Sequence, residues 1–188
     1  ILYQGNLKSY QKLNLQNDKK NIICFASIHR EEFENVLQII KNLDLNSIEQ
    51  IIIIPRHIHF SSKLKSMIKD FYSNKIFILE KFGENDTAYE TSKLTFMGGS
   101  LFEHGGQNPI EPLSKGCFVL SGQYINNFSE IYEDLENLSL AKIFKEKNND
   151  EIGSAINKYI DMELNNEANI KDYFNLNIKQ LSLIINKV

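Results

Sequence analysis

The strongest constraint on this 188-residue chain is an alternation: short apolar, β-branched runs are separated by segments whose apolar residues return at helical spacing. Asn21 to Ser27 (NIICFAS) and Gln50 to Pro55 (QIIIIP) are apolar at successive positions, as strands covered on both faces must be. The second run stops at Pro55, which has no N–H to offer a ladder. Between them Phe33, Val36, Leu37, Ile40 and Leu43 recur every three or four residues and predict a helix from Glu31. The pattern continues with a helix over 61–72, a strand from Ile76 to Leu79, a helix from Asp86 to Ser92 and a strand from Leu94 to Met97. Next come a helix from Asn108 to Lys115 opening with Pro109 at its first position, a strand from Cys117 to Leu120, and a helix from Asn127 to Leu135. A weak sixth strand is expected from Leu140 to Ile143, and helix from Asp150 onward. Strands separated by helices pair in parallel through right-handed crossovers. The expected fold is therefore α/β, a doubly wound parallel sheet in one domain over 21–188, with 1–20 as a polar linker.

Composition narrows the partners. A formal charge of -3 provides no basic field, which argues against nucleic acid. No apolar run approaches the roughly 18 residues that span a bilayer. The start at Ile1-Leu2-Tyr3 lacks both a methionine and a signal-peptide pattern, and suggests a fragment. Cys24 and Cys117 each lie in a strand-like apolar run without CxxC spacing, and read as small buried hydrophobes.

A doubly wound sheet binds its ligand beyond the carboxyl ends of its strands. After the first strand, Ser27 is positioned to cap the next helix or to contact a ligand, with Glu31 and Glu32 in the favourable first turn. After the second comes Arg56, whose forked, permanently charged head suits phosphate oxygens. His57 and His59 offer half a metal site, but nothing at a matching spacing completes it. Gly83, Glu84 and Asn85 make a turn into a short helix. The fourth strand leads into the richest segment, FMGGSLFEHGGQNPIEP, where four of the nine glycines fall within nine residues. Gly99 and Ser100 are candidate ligand contacts, and a helix opening near Asn108 aims its positive end at the same place. Glu111 in that helix is a good acceptor for two ribose hydroxyls. Asn127 is expected to cap the following helix or to touch the ligand. Neither a Walker loop nor GxGxxG after the first strand is present.

These residues carry a family resemblance. GGSLFEHGGQNPIEP resembles the signature of the Kdo transferases, which attach 3-deoxy-D-manno-octulosonic acid to a lipid A precursor. Gly5-Asn6-Leu7-Lys8 is similar to the family's GNLK, Ala26 to Glu32 to its S-T-H-x-x-E-E, Pro55-Arg56-His57 to its PRH, and Asn127-Phe128 with Glu130-Ile131 to its N-F-x-[DE]-I. The resemblance implies the carboxyl-terminal, CMP-Kdo-binding half of a GT-B glycosyltransferase with Rossmann-like domains. It implies that Pro55, Arg56, Gly83, Glu84, Asn85, Asn108, Pro109, Ile110 and Glu111 contact the CMP moiety. It implies no catalytic residue in this chain, the general base belonging to the amino-terminal half. No cofactor and no metal are implied; the acceptor is a lipid A precursor, and the full-length enzyme works at the cytoplasmic face of the bacterial inner membrane. Departures are Gln107 in place of histidine, Ile28 in place of threonine and Gln123 in place of proline. Alternatives are a GT-B transferase or epimerase using a UDP-sugar, and a non-catalytic nucleotide-binding module.

Overall fold

The computed structural model describes residue 15 and residues 19–69, 74–81, 83–164 and 166–185, with 178–185 as backbone alone. Six strands form one parallel sheet: β1 (Ile22–Ile28), β2 (Gln50–Pro55), β3 (Ile76–Ile78), β4 (Leu94–Met97), β5 (Phe118–Ser121) and β6 (Ala141–Ile143). Their order is β3-β2-β1-β4-β5-β6. The chain winds outward from β1 to β3, crosses back to β4 and winds the other way. The reversal puts a crevice between the carboxyl ends of β1 and β4.

Period-two alternation divides the strand residues between two cores. Ile23 and Phe25 of β1, Ile51 and Ile53 of β2, and Leu94 and Phe96 of β4 pack on one face with α1 (Phe33–Lys41), α2 (Ser61–Ile68) and α6 (Asn149–Asp161). Cys24 and Ala26 of β1, Ile52 and Ile54 of β2, and Met97 pack on the other. That face is covered by α3 (Asn85–Thr91), α4 (Ile110–Ser114), α5 (Ser129–Asn137) and α7 (Glu167–Ile185). Coverage on both sides is why these strands are apolar at successive positions. β3, at the sheet edge, is less covered, and its Phe77 is 50% exposed. Both cysteines are buried and free.

Most of the predicted linker lies outside the described residues, but its end belongs to the domain. Leu15 packs against the second core, and the Lys19 ammonium donates to the carbonyls of Tyr89 (2.8 Å) and Ser92 (2.7 Å). Burial pushes the Lys19 pKa down.

The helix expected to open at Pro109 starts one residue later. Asn108 Oδ1 accepts the Ile110 N–H at 3.0 Å, so an Asx turn sets the first helical residue and Pro109 becomes the cap position. Helix α5 likewise starts at Ser129 rather than Asn127.

Candidate functional site

The glycine loop after β4 is organised by one carboxylate. Glu32, fully buried, ends a 3-10 turn (Arg30–Glu32) that precedes α1. Its Oε2 accepts the N–H groups of His29 (2.9 Å) and Gly99 (2.8 Å), and its Oε1 those of Ser100 and Leu101 (3.0 Å each). Buried charge survives when its lone pairs are filled this way. The sequence alone reads Glu32 as an ordinary acid in a helix's first turn, and three of its amides lie 67 to 69 residues away.

Two expectations change as a result. The amides of Gly99 and Ser100 are taken by Glu32, so they do not form a free cradle for the donor. Ser100 is buried as well: its hydroxyl donates to Met97 O at 2.6 Å and accepts the Gly122 N–H at 2.9 Å. It is a strut tying the ends of β4 and β5 together. Ser27 does not cap the next element, whose cap position is His29. Its φ of +55° lies in the left-handed region, and it falls where the β1–β2 register shifts between Phe25 and Ile28. One extra residue on β1 bulges here and re-aims the chain into the crevice.

Around Gly99 the side chains converge. A Cβ at this position would stand 3.2 Å from Gln107 Nε2 and 3.3 Å from His29 Nε2, which explains the glycine. The His29 ring stacks on His104 with centroids 4.2 Å apart and planes inclined by 13°. His104 Nε2 lies 3.7 Å from Glu31 Oε2. His29 Nε2 is buried without a hydrogen-bond partner among the described residues. Burial, then the neighbouring His104, lowers the His29 pKa, so the ring is neutral at pH 7. Arg56 follows β2, its N–H donating to Ile28 O at 2.8 Å while its side chain is exposed. The guanidinium has no carboxylate partner among the described residues, and its charge also disfavours protonation of His29. Tyr132, buried, donates its hydroxyl to Gln107 O at 3.1 Å and steadies the loop from below.

The second group of candidates sits on α3 and α4, which cover the same sheet face. Glu111 at the start of α4 is exposed as a residue, while its carboxyl is partly desolvated, and that burial and then the nearby Asp86 raise its pKa. Lys115, almost buried, ties the two helices by pairing with Glu90 (2.5 Å) and Asp86 (3.7 Å). Gly83 is exposed with φ +83°, in the turn before α3. Glu84 is the cap position of α3 and accepts from Lys81 at 3.1 Å; Asn85 begins the helix, half-buried. Not every candidate presents a side chain. Pro55 and Pro109 are buried, and Ile110 is fully buried in the second core with its N–H held by Asn108. Those residues shape the backbone, leaving Arg56, Glu84, Asn85, Asn108 and Glu111 as the polar surface. Asn127 is exposed and holds the loop: its N–H donates to Gly105 O at 3.0 Å and its amide makes a longer 3.4 Å contact with His104 O. A hollow of about 510 Å³ beside β3 is lined by Lys65, Ile76, Phe77 and Glu84 among others, and shares only Glu84 with the candidates. The other candidate residues lie at the strand ends, apart from that hollow.

No family model matches the chain. The 3-deoxy-D-manno-octulosonic acid transferase of Rickettsia conorii is 30% identical over 144 residues, covering 67% of this chain and 30% of that protein. The chain belongs to the Kdo transferase family. Its fold matches the crystal structure of the C-terminal CMP-Kdo binding domain of WaaA from Acinetobacter baumannii. The TM-score is 0.68, at 20% identity, over 89% of this chain and 93% of that one. A bifunctional glycosyltransferase/methyltransferase of Fusobacterium nucleatum is 28% identical over 204 residues, 96% of this chain and 31% of that protein. The chain thus spans about a third of the length of the curated relatives it matches. Within the family's architecture the doubly wound sheet is the Rossmann-like α/β domain of a GT-B glycosyltransferase. Among the described residues no helix is long and apolar enough to cross a membrane.

Proposed function

We propose that this chain binds the CMP-Kdo donor of an enzyme that transfers Kdo to a lipid A precursor in lipopolysaccharide biosynthesis. The observation that carries the reading is Arg56: an exposed guanidinium without a carboxylate partner among the described residues, at the carboxyl end of a central parallel strand. Such a group favours an anionic ligand, and its planar fork fits phosphate oxygens. Glu111, an acceptor-only group when ionised, takes the ribose hydroxyls. Asn108 and the Gly83–Asn85 turn border the nucleoside. The fold likeness to a CMP-Kdo binding domain supports the same ligand.

In the transfer, the acceptor hydroxyl oxygen attacks the anomeric carbon of Kdo. The bond from that carbon to the phosphate oxygen breaks, and CMP departs with the electron pair. The hydroxyl proton passes to a base supplied by the part of the enzyme that carries the acceptor. Arg56 stabilises negative charge as it develops on the leaving phosphate. Glu32 holds the glycine loop that shapes the crevice floor. Acceptor recognition and contact with the cytoplasmic face of the inner membrane fall to that other part, so this chain alone binds CMP and transfers no Kdo.

Titration of the chain with CMP tests the assignment. Arg56→Ala and Glu111→Ala each weaken binding by roughly 1–3 kcal/mol, as expected when a polar partner is removed from a desolvated contact. Unchanged affinity in both variants would sink it.

A further inference from the structure

All four histidines of the chain fall in the loops that follow β1, β2 and β4, at one end of the sheet. They form two groups that meet edge-on, the His29 and His57 rings lying 6.3 Å apart. His57 and His59 stack on each other at 5.6 Å and both touch Phe60, edge-on and tilted respectively, with no carboxylate reaching them among the described residues. His29 and His104 come with Glu31, and one ligand atom from each of these three lies within 4.8 Å of the others. We propose that His29, Glu31 and His104 form a binding site for a transition-metal dication of the Zn²⁺ class.

The donor set decides the class of ion. Two imidazole nitrogens and one carboxylate oxygen suit Zn²⁺ and its neighbours, whereas Mg²⁺ and Ca²⁺ demand shells of oxygen. Three protein ligands leave a fourth tetrahedral position open, as in zinc sites that take water or an anionic group. Metal–ligand bonds of about 2.0–2.2 Å place tetrahedral ligand atoms roughly 3.3 Å apart, so the group must close by up to about 1.5 Å. His104 and Glu31 have the freedom to do so, their side chains being 34% and 57% exposed. The closing motion turns the His104 ring out of its stack so that its lone pair points at the ion. His29 is the fixed member: its Nε2 is buried, without a partner among the described residues, and beside Gly99 and Gln107. A metal satisfies that atom, and orphaned buried polar atoms are uncommon enough to need a reason. The site shares no ligand with the nucleotide assignment, although Arg56 lies close enough to His29 to act on it electrostatically.

The test is a Co²⁺ titration of the tag-free chain, read by visible absorption, with Zn²⁺ calorimetry alongside. One Co²⁺ per chain is expected, with the intense d–d bands of a tetrahedral ion, displaced by Zn²⁺. His104→Ala and Glu31→Gln, both at exposed positions that leave the fold intact by circular dichroism, weaken binding by at least about tenfold. His59→Ala, which leaves the His29–His57 contact in place, keeps the unsubstituted affinity. The proposal is overturned if neither signal appears up to about 1 mM metal. It is equally overturned if His59→Ala abolishes binding, or if His104→Ala and Glu31→Gln leave it unchanged.

Discussion

Glu32→Gln is the most informative substitution, because the geometry dictates its size. The carboxylate accepts two backbone N–H groups on each oxygen: His29 and Gly99 on one, Ser100 and Leu101 on the other. Glutamine keeps the shape but replaces one oxygen with NH₂. Turning the amide over does not help, since each side faces two donors. Two buried N–H groups are therefore left opposite another donor whichever way the side chain sits. At about 1–3 kcal/mol for each unsatisfied buried group, the static cost is roughly 2–6 kcal/mol. Relaxation of the loop and entry of water recover part of that, and we expect about 2–4 kcal/mol. This is a large share of the roughly 5–15 kcal/mol that holds a domain folded. Urea unfolding followed by circular dichroism reads the loss as a lower midpoint at unchanged slope. Hydrogen exchange gives an independent signature: the amides of residues 99–101 exchange faster, while those at the centre of β1 keep their order of protection. A stability change under about 0.5 kcal/mol, within the range of ordinary surface substitutions, would refute the clamp.

Two further outcomes follow from the same loops. Gly98→Ala places a Cβ 2.4 Å from the Ser27 carbonyl oxygen, a backbone atom at the bulge that cannot rotate away, and should cost at least about 1–3 kcal/mol in the same unfolding assay. The raised pKa of Glu111 makes nucleotide binding pH-dependent: as pH falls, its carboxylate protonates above the ordinary glutamate range, and CMP affinity drops there if the ionised form accepts the ribose. The stability sign is opposite. A carboxyl with a raised folded-state pKa favours the fold below its ordinary value and loses that contribution as pH rises through the raised one. Glu111→Gln should therefore stabilise the free chain slightly near neutral pH and remove the acid dependence of CMP binding; persistence of that dependence would assign it to another group.

Legibility in the sequence followed how local each signal was. Gln50–Pro55 and Leu94–Met97 are read at their observed bounds because a buried strand is an apolar run and proline or glycine ends it. The start of α4 shifts by a residue because the Asn108 side chain competes for a backbone N–H, an effect hidden in a one-dimensional pattern. Strand-end position and charge suffice to single out Arg56 and Glu111 as candidates, and both are exposed polar residues in the structure. Glu32 is not: an acid in a helix's first turn looks the same whether it faces solvent or grips a loop 67 residues on. The His29–Glu31–His104 group is hidden for the same reason, since the adjacent His57 and His59 draw attention by spacing while the grouped ligands come from two different strand ends. Ser27 reads as a cap by residue type, whereas the β1 bulge gives it a left-handed backbone instead.

The central claim, that this chain is built around a cytidine nucleotide, meets its most direct test in parallel calorimetric titrations with CMP and UMP. The account predicts saturable one-to-one binding of CMP, tighter than UMP. Equal or tighter binding of UMP, or no binding of either nucleotide, would contradict it.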